Sequence, residues 1–73
     1  MKKSVTVLGA TGSVGHSTLK IIRENPDKFQ VFGITANKNV TLLAKLAFEF
    51  MPKFVVISDL RLLSDLETRL AHV

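Results

Sequence analysis

The 73-residue sequence contains no cysteine, no tryptophan and no tyrosine. Without cysteine there are no disulfides or thiolate metal sites, which favours a reducing compartment. Without tryptophan or tyrosine the chain lacks side chains on which nucleic-acid-binding proteins commonly stack bases. No apolar run approaches the roughly 20 residues of a membrane-spanning helix. The apolar segment at residues 5–8, which follows Lys2 and Lys3, is too short to be part of a signal peptide. We therefore expect a cytoplasmic protein.

The basic residues are dispersed rather than clustered, although the formal net charge is +4. Nucleic-acid surfaces usually show a basic stripe or basic residues interleaved with aromatics. A dispersed positive charge mildly favours small anionic ligands instead. We therefore expect neither a nucleic acid nor a membrane as partner. Hydrophobic residues make up 47% of the sequence, which indicates a globular chain.

Three apolar runs predict β-strands at residues 4–8, 30–35 and 54–58. They are rich in valine, isoleucine and phenylalanine and do not alternate cleanly with polar residues. This pattern is typical of parallel strands that are covered on both faces.

Helical patterns follow each of these strands. The first runs over Ser13–Glu24 and stops before Pro26, which disfavours helical geometry in the residue before it. Its predicted buried face holds Val14, Thr18, Ile21 and Ile22. The second runs over Val40–Phe50, with Asn39 as its N-cap. The third follows Asp59 and has leucines at 60, 63, 66 and 70.

The order β-α-β-α-β-α predicts an α/β fold with a parallel, doubly wound sheet of the Rossmann type. Only the first half of such a domain is present, because at least two further strands are missing. We therefore expect residues 1–73 to be the N-terminal part of a dinucleotide-binding domain. The catalytic and C-terminal domains are expected to be absent from this chain.

A glycine-rich turn lies between the first strand and the first helix, with Gly9, Gly12 and Gly15 spaced G-x-x-G-x-x-G. A strand–turn–helix unit of this kind directs backbone N–H groups and the helix dipole at a phosphate. Gly12 would let the backbone approach a pyrophosphate, and Gly15 would let the helix pack against the strand. The hydroxyls of Thr11 and Ser13 can donate to phosphate oxygens. The alternative is an ordinary tight turn.

The loop after the second strand decides which nucleotide is expected. NAD-preferring folds carry an acidic residue there for the ribose 2′-hydroxyl. This chain has no acidic residue between Asp27 and Glu49, and offers Asn37, Lys38 and Asn39 instead. An ammonium and amide donors attract a 2′-phosphate, so we expect NADPH rather than NADH. The alternative is that Asn39 only caps the second helix and Lys38 is a solvated loop residue.

No catalytic or metal-binding constellation is visible in the sequence. His16 has no second histidine or carboxylate nearby and is expected to lie on the surface. The acids Asp59, Asp65 and Glu67 suit helix termini, where they complement the dipole, rather than a metal cluster. The remaining large apolar residues are predicted to lie in the core, namely Met51, Phe48, Phe50 and Phe54.

Several segments resemble the N-terminus of the 1-deoxy-D-xylulose 5-phosphate reductoisomerase family. The glycine turn at residues 8–15 is shared with many reductases. The continuation Ser17-Thr18-Leu19 and the loop Lys38-Asn39-Val40 are much more specific. The resemblance extends over almost the whole chain, through residues 25–26, 29, 36, 49–50 and 52–53.

The resemblance implies an enzyme that converts 1-deoxy-D-xylulose 5-phosphate to 2-C-methyl-D-erythritol 4-phosphate in the non-mevalonate route to isoprenoid precursors. The family uses NADPH and a divalent metal, Mg or Mn, and works as a homodimer. It implies that the pyrophosphate side of NADPH is held by Thr11, Gly12, Ser13 and Val14. The adenosine 2′-phosphate side would be held by Asn37, Lys38 and Asn39.

One departure from the family lies at Asn37, where the family often has glycine. Asparagine tolerates the left-handed backbone better than most residues, so the loop is expected to keep its shape. The family's metal ligands and substrate-phosphate site lie beyond residue 73, so no catalytic or metal residue is assigned here. By itself this chain is expected to be inactive.

Two other functions remain open at this point. Another NADP enzyme with a similar turn, such as aspartate-semialdehyde dehydrogenase, would need a catalytic cysteine, and this chain contains none. A non-catalytic nucleotide-binding or interaction module would need no further residues.

Overall fold

The fold is an alternation of three strands and three helices, seen in a computed structural model that describes residues 2–71. In chain order the elements are β1 (Lys3–Val7), α1 (Ser13–Glu24), β2 (Phe29–Ala36), α2 (Val40–Phe50), β3 (Phe54–Ile57) and α3 (Leu63–Leu70), with a 3₁₀ turn at Leu60–Leu62. The predicted β-α-β-α-β-α order is confirmed. The bounds predicted for α1 and α2 are also confirmed.

The three strands form one parallel sheet in the order β1-β2-β3. Val7 lies opposite Ile34, and Ala36 lies opposite Ile57. The register shifts after Val5, where Phe32 is an extra residue in β2. Adjacent parallel strands joined by crossover helices form one half of a Rossmann-like sheet, as predicted.

The core lies between one face of the sheet and the helices. Leu19 of α1, Ile34 of β2 and Leu43 of α2 are almost completely inaccessible to solvent. Around them pack the other buried apolar residues, which are Val7, Ala10, Ile22, Val31, Ala36, Val40, Ala44, Leu46, Ala47, Ile57 and Leu66. The helix–sheet interface therefore supplies the hydrophobic stabilisation of the fold.

The buried face predicted for α1 is correct only in part: Ile22 is buried and Thr18 is partly buried, but the prediction is wrong for Val14 and Ile21. Val14 is 80% exposed and Ile21 is 56% exposed, whereas Gly15, Leu19 and Ile22 are buried. The helix is apolar on two adjacent stripes, so its periodicity alone allowed either one to face the core. The close contact of Gly15 with the preceding turn selects the stripe that is buried.

The prediction that the strands are covered on both faces is also wrong for the described part of the chain. Phe32, Phe54 and Val56 are 43%, 38% and 45% exposed on the face opposite the helices. The rings of Phe32 and Phe54 meet edge to face with centroids 5.4 Å apart. None of the described helices covers this face, and α3 packs on α2.

Three of the four residues predicted as core are on the surface. Phe48, Met51 and Phe54 are exposed, and only Phe50 is partly buried against the core. Met51 ends α2 with a φ of 49°, in the left-handed region. Hydrophobicity predicted their burial, but their positions at the end of α2 and on the open sheet face leave them accessible.

Candidate nucleotide-binding site

The glycine turn that follows β1 is closed by its own backbone. The N–H of Gly12 donates to the carbonyl oxygen of Gly9 over 3.0 Å. Gly9 has a φ of +65°, which glycine adopts far more readily than other residues. This left-handed residue reverses the chain direction, so that α1 starts beside the end of β1.

Gly15 is required by the close approach of α1 to this turn. A Cβ atom on Gly15 would lie 2.3 Å from the carbonyl oxygen of Gly9 and 2.7 Å from the Cα of Ala10. A Cβ atom on Gly12 would lie 3.4 Å from the same carbonyl oxygen, which is an ordinary contact. The expectation that Gly15 allows close helix–strand packing is therefore confirmed.

The N-terminus of α1 is open. Gly12 is the N-cap and accepts a 2.8 Å hydrogen bond from the N–H of His16, but no side chain caps the helix. No acidic residue lies in the first helical turn. The first N–H groups of a helix have no partners within the helix, and its dipole is positive at this end. The arrangement suits an anion.

The loop between β2 and α2 presents Asn37, Lys38 and Asn39 at the surface. The side-chain carbonyl of Asn39 accepts a 3.1 Å hydrogen bond from the N–H of Leu42, which confirms Asn39 as the N-cap of α2. Asn37 does not adopt a positive φ; among the non-glycine residues of the described range, only Met51 does. The loop therefore needs no left-handed residue at position 37.

Thr35 connects the glycine turn to this loop. Its hydroxyl oxygen accepts a 3.1 Å hydrogen bond from the N–H of Gly9, and its carbonyl oxygen accepts a 2.7 Å bond from the N–H of Ala10. Sequence reasoning missed this residue. The available signal was a hydroxyl at the end of an apolar strand, directly before the loop.

The end of β3 lies against the same loop. The N–H of Ser58 donates to the carbonyl of Ala36 over 2.9 Å, and that of Asp59 donates to the carbonyl of Asn37 over 3.1 Å. The carboxylate of Asp59 accepts from the backbone N–H of Arg61, which confirms its expected capping role. An acidic residue thus stands beside the loop whose own sequence is free of acids.

Asp59 is also paired with the side chain of Arg61. The guanidinium donates from Nε over 3.0 Å and from Nη2 over 2.7 Å. These side-chain bonds, followed by the backbone bond from Arg61, lower the pKa of the Asp59 carboxyl below its ordinary value, and the charge of Lys38 adds to the effect. Sequence reasoning treated Asp59 as a helix cap and missed this pair.

A second ion pair lies away from this site, between Arg23 at the end of α1 and Glu49 on α2. The guanidinium of Arg23 donates to both carboxylate oxygens of Glu49 and lies 5.3 Å from the centre of the Phe50 ring. The hydrogen bond from Arg23 lowers the pKa of the Glu49 carboxyl. This pair joins the two helices rather than shaping the nucleotide loop.

The other candidates from the sequence were His16 and the acids on α3, Asp65 and Glu67. His16 is exposed on α1, as expected. Within residues 2–71, no three His, Cys, Asp or Glu side chains are grouped so that they could hold a metal ion. No helix in the same range is both long and apolar enough to cross a membrane.

The geometry and the sequence lead to one family. The sequence model of 1-deoxy-D-xylulose 5-phosphate reductoisomerase matches residues 5–73. The chain belongs to this family. Membership in the reductoisomerase family confirms the resemblance and does not favour the aspartate-semialdehyde dehydrogenase alternative or the non-catalytic module.

Curated relatives are similar over nearly the whole chain. A 1-deoxy-D-xylulose 5-phosphate reductoisomerase of Rhodopseudomonas palustris (strain BisA53) is 52% identical over 69 residues, which are 94% of this chain and 17% of the relative. A chloroplastic reductoisomerase of Mentha piperita is 48% identical over 94% of this chain and 15% of its own length. The chain therefore spans less than a fifth of these relatives.

Solved structures of the family share the fold. The reductoisomerase of Zymomonas mobilis in complex with NADPH superposes with a TM-score of 0.94 at 50% identity, covering 99% of this chain and 19% of that one. A reductoisomerase in complex with magnesium superposes with a TM-score of 0.92 at 35% identity, and the match covers 99% of this chain and 18% of that one. The segment is thus structurally similar to the corresponding part of these enzymes.

Proposed function

We propose that this chain is the NADPH-binding segment of a 1-deoxy-D-xylulose 5-phosphate reductoisomerase. The observation that carries the proposal is the pairing of an open helix N-terminus with a cationic loop, joined through Thr35 at one edge of the sheet. Ligands of doubly wound sheets bind at the carboxyl ends of the strands, where both features lie. The structure of the similar Zymomonas mobilis enzyme contains bound NADPH.

The pyrophosphate of NADPH fits the glycine turn. Packing within the chain leaves room for a Cβ atom at Gly12, so a close approach by the ligand explains the glycine there. The exposed hydroxyl-bearing Ser13 and the partly exposed Thr11 flank it, and Val14 lies exposed in the first turn of α1. We assign these four residues to the pyrophosphate side, where the N–H groups and dipole of α1 favour negative charge.

The adenosine 2′-phosphate fits the loop at residues 37–39. Lys38 supplies a positive charge, and Asn37 is an exposed amide. Asn39 uses its carbonyl oxygen to cap α2, which leaves its side-chain NH₂ group to donate to the phosphate. Capping and cofactor binding by Asn39 are therefore compatible.

NADPH supplies a hydride when it is bound, while the residues described here bind and orient its phosphates. The residues of 2–71 do not fit a metal centre, since they hold no suitable ligand cluster. We propose that the Mg or Mn ligands, the sugar-phosphate site and the catalytic groups belong to the part of the family's sequence that this chain does not span. The chain alone would then be inactive.

The intact protein would convert 1-deoxy-D-xylulose 5-phosphate to 2-C-methyl-D-erythritol 4-phosphate. We propose that residues 1–73 form the N-terminal part of its dinucleotide-binding domain, and that it works as a homodimer in the cytoplasm. The support is the family membership together with the fold of the segment.

Charge reversal at Lys38 tests the cofactor assignment. Dissociation constants for NADPH and NADH are measured on the intact protein by titration calorimetry. The unmutated protein should bind NADPH more tightly. Lys38→Glu should weaken NADPH binding by about 10- to 100-fold, because a charge-assisted hydrogen bond is replaced by repulsion. NADH binding should change little.

Lys45→Glu is the matched control, since Lys45 is an exposed lysine on α2. It should leave the ratio of the two dissociation constants unchanged. Equal affinities of the unmutated protein for NADPH and NADH would refute the 2′-phosphate assignment.

A further inference from the structure

The ion pair of Asp59 and Arg61 occupies the edge of the sheet next to the proposed 2′-phosphate loop. The backbone bond from Asp59 to the carbonyl of Asn37 fixes the end of β3 against this loop. Lys38, the next residue, is close enough for its charge to act on the Asp59 carboxyl. The pair and the loop therefore form one charged surface.

The two members of the pair differ in accessibility. The side chain of Asp59 is 12% exposed, whereas that of Arg61 is 83% exposed. Both carboxylate oxygens accept hydrogen bonds from the guanidinium of Arg61, so this side chain lies against the carboxylate and covers part of it. Removing the arginine side chain would uncover the carboxylate beside the loop.

The guanidinium of Arg61 keeps donors for a ligand. Its bonds to Asp59 use Nε and Nη2, one N–H group from each. Among the described residues, the other three N–H groups have no hydrogen-bond partner. A guanidinium held along one edge in this way keeps its other N–H groups free, and its planar fork can match phosphate oxygens.

Building on the proposed function, we propose that Arg61 is a specificity-determining residue for NADPH. It covers the carboxylate of Asp59 and presents guanidinium N–H groups to the 2′-phosphate alongside Lys38. An uncovered carboxylate at this edge would instead repel the phosphate and accept hydrogen bonds from a free ribose 2′-hydroxyl, as acidic residues do in NAD-binding folds.

The test compares Arg61→Ala with Arg69→Ala in the intact protein, measuring NADPH and NADH dissociation constants for each. Arg69 is a matched control because it also pairs with an aspartate, Asp65, but on α3. Arg61→Ala should raise the dissociation constant for NADPH by about tenfold, in line with the loss of one charge-assisted hydrogen bond. It should leave NADH binding unchanged or make it tighter.

Two further variants separate the roles of charge and fold. Arg61→Lys keeps a positive charge without the planar fork, and should give an intermediate loss of NADPH binding. The double variant Asp59→Asn/Arg61→Ala removes the uncovered carboxylate, and should recover part of the loss seen in Arg61→Ala. Asparagine keeps a side-chain oxygen that can cap the 3₁₀ turn, so the local fold is retained.

The inference is overturned if Arg61→Ala affects NADPH no more than Arg69→Ala does, or if it weakens NADPH and NADH equally. Equal weakening of NADPH and NADH binding would indicate that Arg61 stacks on the adenine or that the variant has a folding defect. These results leave the proposed function intact as long as Lys38→Glu still lowers the preference for NADPH. If the unmutated protein binds neither nucleotide, the proposed function itself fails.

Discussion

Gly15→Ala is the substitution for which the structure makes the strongest prediction. Gly15 is the third residue of α1, and helix propensity alone favours alanine over glycine by about 0.8–1.0 kcal/mol. The contact with the glycine turn works in the opposite direction. A loss of stability in Gly15→Ala would therefore show that the contact of α1 with the glycine turn exists, whereas a gain would show that helix propensity dominates.

The steric cost is the larger effect. The new methyl group would lie 2.3 Å from the carbonyl oxygen of Gly9, and 2.7 Å and 2.9 Å from backbone atoms of Ala10. These distances fall roughly 1 Å short of an ordinary contact of about 3.5 Å. Overpacking typically costs about 1–3 kcal/mol, and the upper end applies because backbone atoms cannot rotate away. After the gain in propensity, a net loss of about 2 kcal/mol remains.

The assay is urea unfolding of the intact protein, combined with NADPH titration. Gly15→Ala should lower the unfolding midpoint and weaken NADPH binding, because α1 must move away from the turn. Gly12→Ala is the control. Its methyl group meets the Gly9 carbonyl at 3.4 Å, so it should cost under about 1 kcal/mol of stability while obstructing the pyrophosphate.

The reasoning is refuted if Gly15→Ala unfolds at the same or higher urea concentration than the unmutated protein. That result would mean that helix propensity outweighs the contact. If Gly12→Ala binds NADPH normally, the turn does not hold the pyrophosphate.

Two further predictions concern the hydrogen bonds around the site and the pair between the helices. Thr35→Val removes the acceptor of the hydrogen bond from the Gly9 N–H, so it should lower the free energy of unfolding in urea by about 0.5–1.5 kcal/mol and weaken NADPH binding. Thr35→Ser keeps the hydroxyl and should retain both the stability and the NADPH affinity. Equal behaviour of the two variants would contradict the proposed role of this hydrogen bond. The hydrogen bond from Arg23 lowers the pKa of Glu49 in the folded state. The pair therefore stabilises the fold at pH values above the unfolded pKa, and this stability is lost as the pH falls through the lowered folded pKa. Glu49→Gln should make the free energy of unfolding fall slightly less steeply at acidic pH, and the effect is small because the pair is partly exposed. If Glu49→Gln leaves the free energy of unfolding at acidic pH with the same dependence on pH, the pair contributes nothing to stability.

The elements that could be predicted from sequence are those with local signals. Asn39 provides an acceptor for the first N–H groups of α2, and Pro26 prevents α1 from continuing. Both helices have the predicted bounds for this reason. The glycine turn was recognisable because a left-handed φ and a close helix approach both require glycine, at Gly9 and Gly15.

Burial was harder to predict because it depends on what packs against each surface. Val14 and Ile21 form an apolar stripe as regular as the buried one, yet both are exposed. Phe32 and Phe54 are strand residues whose face is not covered by the described helices. Composition identifies residues that favour burial, but the number of layers around the sheet decides which of them are buried.

Contacts between distant segments could not be predicted, because they depend on how the strands align. In a parallel sheet the carboxyl ends of all strands meet at one edge. This brings Gly9, Thr35 and Asp59 to the same place although they lie in three different segments. The sequence around Lys38 suggested a loop without acidic residues, whereas the sheet places the Asp59 carboxylate beside it. If the proposed cofactor assignment holds, the preference for NADPH should depend on Arg61, which pairs with this carboxylate, as well as on the composition of the loop.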